Sequence, residues 1–71
     1  MDRTTFPPTD GRTLRARREA AGVSMDAVAG YIGTTRQALR RWEANPALPY
    51  VKAHKYEDAL EAAVTAAVAV A

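Results

Sequence analysis

Two glycines, each followed two positions later by a helix-capping hydroxyl, divide the middle of this chain into short helices. Gly22 precedes Ser24 in this way, and Gly33 precedes Thr35. Glycine readily adopts the left-handed conformation that ends a helix, and a serine or threonine oxygen accepts from a free N–H group at the start of the next one. Because one residue separates each glycine from the following cap, successive helices must turn sharply against each other. This spacing predicts a compact helical fold.

The other helix boundaries follow from the same kinds of signal. Asp10 is a suitable N-cap, and Asn45 before Pro46 is a suitable left-handed terminator. From Tyr50 onward there is no glycine or proline, and the apolar residues recur at helical spacing. Valine alternating with alanine near the C-terminus also suits a strand, so helix beyond residue 63 stays open. The sequence predicts an all-α bundle of four or five helices, with helices at about 11–21, 25–32, 36–44 and 50–63, the last with an open continuation to 69.

The apolar core available to such a bundle is thin. Hydrophobic residues make up 48% of the 71 residues, but sixteen of them are alanine. Alanine buries little area, so hydrophobic stabilisation, at about 25 cal/mol per Å², is expected to be modest. We expect one folded helical domain at 10–63, preceded by a flexible arm at 1–9 and followed by an apolar tail at 64–71 that serves as a dimerisation segment.

Catalysis and metal binding have few residues to draw on. The chain has no cysteine, one histidine (His54) and one serine (Ser24), which excludes a disulfide, a thiolate nucleophile and a cysteine-ligated zinc site. We therefore expect no enzymatic activity, no metal and no cofactor. With no signal peptide and no twenty-residue apolar run, we expect a soluble cytoplasmic protein that is not associated with a membrane. A chain of this size also leaves no room for a small-molecule effector pocket.

One face of the third predicted helix has the chemistry of a major-groove reader. On a helical wheel this face carries three arginines and a glutamine: Arg36, Gln37, Arg40 and Arg41. Arginine can donate two hydrogen bonds to guanine, and glutamine can pair with adenine. A solvated helix face usually mixes signs, whereas this one meets no acid until Glu43. Residues 1–55 also carry a balance of +5 and residues 56–71 one of −3, a separation typical of nucleic-acid binders, although ordinary solvated surfaces could carry the same charges.

The order of these elements resembles the Cro/lambda-repressor-type helix-turn-helix family, also called XRE. The similarity covers residues 14–60 and rests on LRARREAAGVS, on AVAGYIGTTRQALRRWE, and on the proline-marked turn and helix that follow. It implies a regulator that binds double-stranded, palindromic operator DNA as a homodimer, and a small phage-type repressor fits this description. The resemblance also implies a location on the nucleoid, in the cytoplasm of a bacterial host. RRWEANPALPYV also resembles excisionases, which are architectural DNA-binding proteins. A third hypothesis is an antitoxin-type module whose apolar tail docks into a protein partner.

The resemblance also implies roles for single residues. Arg36, Gln37 and Arg41 would read base edges, while Arg18 and Glu43 would form a structural ion pair. The phosphate contacts implied by position are Ser24, Thr35 and Arg40. Arg15 and Arg17, on the first helix, either contact phosphate or are simply solvated. Met25 departs from the family, which often has glutamine there to contact phosphate and support the first base-reading side chain; methionine is expected to pack apolarly instead.

Overall fold

The fold is known from a computed structural model that describes residues 7–70. Four α-helices follow one another in this part of the chain: α1 (Gly11–Ala20), α2 (Met25–Ile32), α3 (Arg36–Ala44) and α4 (Tyr50–Val70). Residues 7–70 contain no strand, and their β pairing is limited to an isolated bridge between Thr9 and Leu48. The predicted all-α class is therefore confirmed.

Side-chain caps begin the first three helices where the sequence places them. Each cap oxygen accepts from a backbone N–H two or three positions on: Asp10 from Arg12 at 2.9 Å, Ser24 from Ala27 at 3.1 Å and Thr35 from Ala38 at 3.0 Å. The two glycines that separate the helices have positive φ, 71° at Gly22 and 86° at Gly33. This conformation costs glycine little, and it allows each turn to be short.

Asn45 does not end α3 in the predicted left-handed conformation. Its φ of −84° and ψ of 114° are extended. The reason is Pro46, whose ring clashes with the preceding residue in helical conformations and forces it toward extended ones. The Asn45 side chain instead accepts a hydrogen bond from the N–H of Ala47 at 2.9 Å and so stabilises the turn that leads to α4.

Two further boundaries differ from the sequence prediction. α1 ends at Ala20, one residue earlier than expected, with Ala21 as its C-cap. Within the predicted arm, residues 1–6 lie outside the described residues, but Thr9 is part of the fold. Its N–H donates to the carbonyl of Leu48 at 2.9 Å, and its carbonyl accepts from the N–H of Leu48 at 2.7 Å. This pairing joins the start of α1 to the turn before α4.

The open question about the C-terminal segment is answered in favour of helix, because α4 continues through Val70. A strand needs a neighbour for its ladder of hydrogen bonds, and no strand lies within residues 7–70. Alanine, the best helix former, is also abundant here. The core-facing stripe of α4 ends at Ala63, and beyond it Val64 is 36% and Val68 69% exposed.

The core lies where α4 crosses α1 and α2, with α3 closing the side formed by α1 and α2. The largest side chains that are completely buried are Tyr56, Leu14, Leu39, Leu48 and Val28. Four half-buried apolar residues pack against this core, namely Val23, Met25, Ile32 and Trp42. Burial of Val28 and Ala29, with Met25 and Ile32 beside them, matches the inward face that helical spacing predicts for α2.

Gly11 marks the closest approach between two helices. It is buried at the first position of α1, and its N–H donates to the carbonyl of Asn45 at 2.7 Å. A β-carbon built there would lie 2.9 Å from the Asn45 carbonyl oxygen and well inside contact distance of the Trp42 carbonyl oxygen. Both of these atoms belong to the backbone at the end of α3, so a side chain at position 11 would force α1 and α3 apart.

Gly11→Ala should therefore destabilise the protein by about 1–3 kcal/mol, the usual cost of overpacking, as measured by urea or thermal unfolding. Gly30→Ala is the matched control. Gly30 is exposed in the middle of α2 with open space around its β position, so alanine there should stabilise by about 0.5–1 kcal/mol through helix propensity. Equal effects of the two substitutions would show that α1 and α3 can separate freely.

Candidate nucleic-acid interface

α3 presents its polar residues to solvent and its apolar residues to the core. Arg36, Gln37, Arg40 and Arg41 are exposed, whereas Leu39 is completely buried. The structure thus brings the three predicted base-reading residues onto one open surface together with Arg40. Arg36, Gln37 and Arg40 also line one shallow groove along α3. We call these four exposed residues the α3 ridge.

A second groove runs between α1 and α3 beside the α3 ridge. Its lining includes arginines from both helices, namely Arg12, Arg15 and Arg18 from α1 and Arg40 from α3, together with Met25 and Glu43. The structure therefore places Arg15, a predicted phosphate contact, next to Arg40. Arg15 is mostly exposed, and its Nε donates to Glu19 at 3.1 Å. Solvent screening keeps such a pair weak, so phosphate can compete with Glu19 for this arginine.

Arg12 is a basic residue of this groove that the sequence analysis missed. Its spacing of three residues before Arg15 puts both on one side of α1, and this signal could have identified it. Its guanidinium makes two bonds to the Asp10 carboxylate, at 2.9 and 2.8 Å. These bonds, together with the Arg12 backbone N–H, lower the pKa of Asp10 below its ordinary value. The pair fixes Arg12 at the N-terminus of α1.

Arg17 lies apart from the other predicted phosphate contacts. It lines a different groove, between α1 and α4, and its Nη1 is 3.2 Å from the Glu57 carboxylate. Asp58 and Glu61 line the same groove. The structure thus directs Arg17 toward acidic residues of α4 and away from the α3 ridge.

Ser24 and Thr35 are exposed at the N-termini of α2 and α3. Each hydroxyl oxygen already accepts a capping bond, which leaves its hydrogen free to donate to a phosphate oxygen. The positive end of each helix dipole at these positions also favours an anion. The hydroxyls of Ser24 and Thr35 can therefore cap their helices and donate to a phosphate at the same time. Met25, which follows Ser24, is half-buried and packs against the core.

A protein-family model described as helix-turn-helix matches residues 14–61, about two-thirds of the chain. The chain belongs to the XRE family of helix-turn-helix proteins. It is thus a DNA-binding regulator of the Cro/lambda-repressor type, a family whose role is regulation rather than catalysis. No curated protein and no solved structure matches it. None of the helices described within residues 7–70 has both the length and the hydropathy of a membrane span.

The XRE-type helix-turn-helix is held to α1 and α4 by a buried polar cluster, Arg18, Glu43 and Tyr56. Arg18 Nε and Nη2 contact the Glu43 carboxylate at 2.7 and 3.3 Å, which brings together the two residues that the resemblance pairs. The Tyr56 hydroxyl donates to the same carboxylate. Arg18 Nη1 also donates to the carbonyl of Val23 at 2.9 Å, so one guanidinium ties α1 to α3 and to the loop before α2.

Tyr56 is the member of this cluster that sequence reasoning missed. The sequence places Tyr56 on the apolar stripe of α4, and a buried tyrosine hydroxyl usually has a hydrogen-bond partner. A partner could therefore have been expected from the sequence, but not that it is Glu43. Burial, and then donation to Glu43, raise the pKa of Tyr56 well above its ordinary value of 10.0. The Glu43 carboxylate raises the pKa of Arg18 as well.

The raised pKa of Tyr56 makes stability depend on pH in the alkaline range. The folded state keeps the phenol proton that the unfolded chain loses near pH 10, so this contribution is complete below that pH and is lost as pH rises toward the folded pKa. Tyr56→Phe should lower the free energy of unfolding at neutral pH by about 1.5–3 kcal/mol, because a hydrogen bond to a charged group is removed.

The measurement is urea unfolding of the parent chain and Tyr56→Phe from about pH 8 to about pH 11, where tyrosine ionises. The difference between the two should shrink as pH rises. Tyr31→Phe, at an exposed tyrosine of α2, is the matched control and should leave the pH profile unchanged. If the difference in the free energy of unfolding between the parent chain and Tyr56→Phe stays constant with pH, the loss of stability at alkaline pH does not come from Tyr56.

Proposed function

We propose that this chain is a Cro-like repressor of the phage or prophage type that occupies a palindromic operator as a dimer and excludes RNA polymerase or a competing regulator. The observation that carries the proposal is the α3 ridge. Its arginines and glutamine are exposed, while Leu39 and Glu43 on the other side of α3 are buried against the rest of the fold. A rigid helix with such a face is suited to insertion in the major groove.

Within this proposal the residues of the interface divide into two groups. Arg36, Gln37 and Arg41 read base edges, because guanidinium and amide groups can each make two hydrogen bonds to one base. Arg40 and Arg15, on the two sides of the α1–α3 groove, contact phosphates, together with the hydroxyls of Ser24 and Thr35. The pairing of Arg17 with Glu57 favours a place outside the interface for that residue.

Substitutions in the α3 ridge separate these roles. Arg36→Ala or Gln37→Ala should cost about 1–3 kcal/mol on the preferred duplex and relax discrimination at one base pair. Arg40→Ala should instead weaken binding to all sequences alike and reduce the slope of log affinity against log salt by about 0.9. The measurement is a set of binding titrations on the preferred duplex and its single-base variants.

Arg17→Ala is the matched control for these titrations, because it also removes an exposed arginine. It should leave base discrimination unchanged. Uniform weakening by Arg36→Ala and Gln37→Ala would mean that both residues touch phosphate only and would remove the basis for sequence-specific readout.

The homodimer is proposed to form through the end of α4. Val64 and Val68 lie one helical turn apart, are both exposed, and follow the point where the core-facing stripe ends. α4 packs on α1 and α2 and has few contacts with α3, so a partner on this segment leaves the α3 ridge accessible. Two copies related by a two-fold axis can then place their α3 helices in successive major grooves, about 34 Å apart.

Val68→Gln should shift a monomer–dimer equilibrium toward monomer without loss of helix, because it replaces a valine that is 69% exposed, more than Val64, with a polar residue. Sedimentation velocity measures the assembly state, and circular dichroism measures the helix content. Thr65→Gln, at an exposed polar position of the same segment, is the control. Identical sedimentation of the parent chain, Val68→Gln and Thr65→Gln would exclude this segment as the dimer interface.

Selection from random duplexes tests the proposal as a whole. A short palindrome protected as one footprint supports an operator-bound dimer. Tandem sites that bend on binding would instead identify an excisionase-like architectural protein, and failure to select any duplex at low salt, with co-purification of a specific protein, would identify an antitoxin-type module.

A further inference from the structure

The helix-turn-helix carries a single exposed carboxylate. Residues 24–45 contain two acids, Asp26 and Glu43, and Glu43 is buried against Arg18 and Tyr56. Asp26 lies in the first turn of α2 and its side chain is 71% exposed. A carboxylate on a surface that approaches a polyanion is repelled by it, so its presence there requires a compensating role.

Asp26 faces the first residue of the α3 ridge. Its Oδ1 lies 3.8 Å from Nε of Arg36, and this contact bridges the turn between α2 and α3. At this distance the contact is an ion pair and not a hydrogen bond, and with the Arg36 side chain 62% exposed it places a negative charge on one side of the guanidinium and leaves the other sides open. No other acid lies within ion-pair distance of Arg36 among the described residues.

The geometry of the pair leaves the reading atoms free. Because the carboxylate lies beside Nε, the terminal nitrogens Nη1 and Nη2 remain available for O6 and N7 of a guanine. A free arginine side chain has many rotamers and loses that freedom when it binds. A charged partner that favours some rotamers beforehand reduces this loss and biases the orientation in which the guanidinium meets a base.

Two other roles for Asp26 make different predictions. An acid in the first turn of a helix stabilises it through the helix dipole, which would affect folding but not base preference. A carboxylate can also accept from the N4 amino group of cytosine, which would give Asp26 a base pair of its own.

We propose that Asp26 is a positioning residue that holds the Arg36 guanidinium in the orientation that reads a guanine. This rests on the proposed function, in which Arg36 is a base reader. Asp26 then increases discrimination at the Arg36 base pair while it lowers affinity for every sequence through phosphate repulsion. It serves specificity rather than affinity.

A double-mutant cycle tests this role, with Asp26→Ala, Arg36→Ala and the double variant titrated against the preferred duplex and its single-base variants. Asp26→Ala should reduce discrimination at the Arg36 base pair by about two- to fivefold, the range of an exposed ion pair. It should also strengthen binding to unrelated duplex. In the Arg36→Ala background, the addition of Asp26→Ala should cause no further loss of discrimination, since the guanidinium that Asp26 positions is absent.

Two further variants separate charge from fold. Asp26→Asn keeps the shape but not the charge and should behave like Asp26→Ala in discrimination. Glu61→Gln removes the same charge from α4, in the groove between α1 and α4 that no residue of the α3 ridge lines, and should leave discrimination unchanged. Thermal unfolding of each variant reports any contribution of Asp26 to α2 stability.

Loss of discrimination at another base pair, or an equal loss in the Arg36→Ala background, would overturn the positioning role. So would an effect on stability with none on discrimination. If Arg36→Ala relaxes discrimination and Asp26→Ala does not, the positioning role fails while the proposed function stands. If Arg36→Ala itself leaves discrimination intact, the base-reading role of Arg36 fails and the positioning role fails with it.

Discussion

The fold depends on one buried carboxylate, that of Glu43, and on the two groups that satisfy it. A charged side chain is stable in a protein interior only when it is paired and hydrogen-bonded, and removal of one partner is much more costly than the pair itself is stabilising. Arg18 from α1 and Tyr56 from α4 supply those bonds, and no described buried side-chain polar atom lacks a partner. In a small core of six larger apolar side chains and four alanines, this directional contact sets where α3 lies relative to α1 and α4.

The consequence for DNA binding is geometric. Glu43 lies at the buried side of α3 and the α3 ridge on the exposed side, so the cluster fixes the rotation of α3 about its own axis. The turn from Gly33 to Thr35 fixes its distance from α2, and Gly11 allows α1 to approach its C-terminal end. Three constraints thus orient the helix that carries the basic residues, while the exposed charges of the α3 ridge contribute little to the fold.

Local signals predicted the elements, and long-range packing decided the exceptions. The helix boundaries at Ser24, at Thr35 and at the two glycines depend only on the chemistry of those residues. The helices therefore lie close to where the sequence predicts them. The prediction of a left-handed helix end at Asn45 was wrong. Pro46 sterically restricts the backbone of the preceding residue to extended conformations, and this restriction outweighs the tolerance of asparagine for the left-handed one. The pairing of Thr9 with Leu48 joins distant segments and has no local signature. Arg15 and Arg17 are two positions apart on α1, so helical spacing already places them on different faces, but only the positions of α3 and α4 show which groove each one faces.

The overhanging end of α4 has a consequence for how encounters at that surface proceed. After Ala63 the helix has little of the protein to pack against, so its persistence relies on backbone hydrogen bonds and on alanine, which loses no side-chain entropy on ordering. An incoming surface therefore meets a segment that is already ordered and does not have to fold it. A second copy that docks on this segment, as proposed above, would meet a preformed helix, in contrast to the coupled folding by which disordered tails engage their targets.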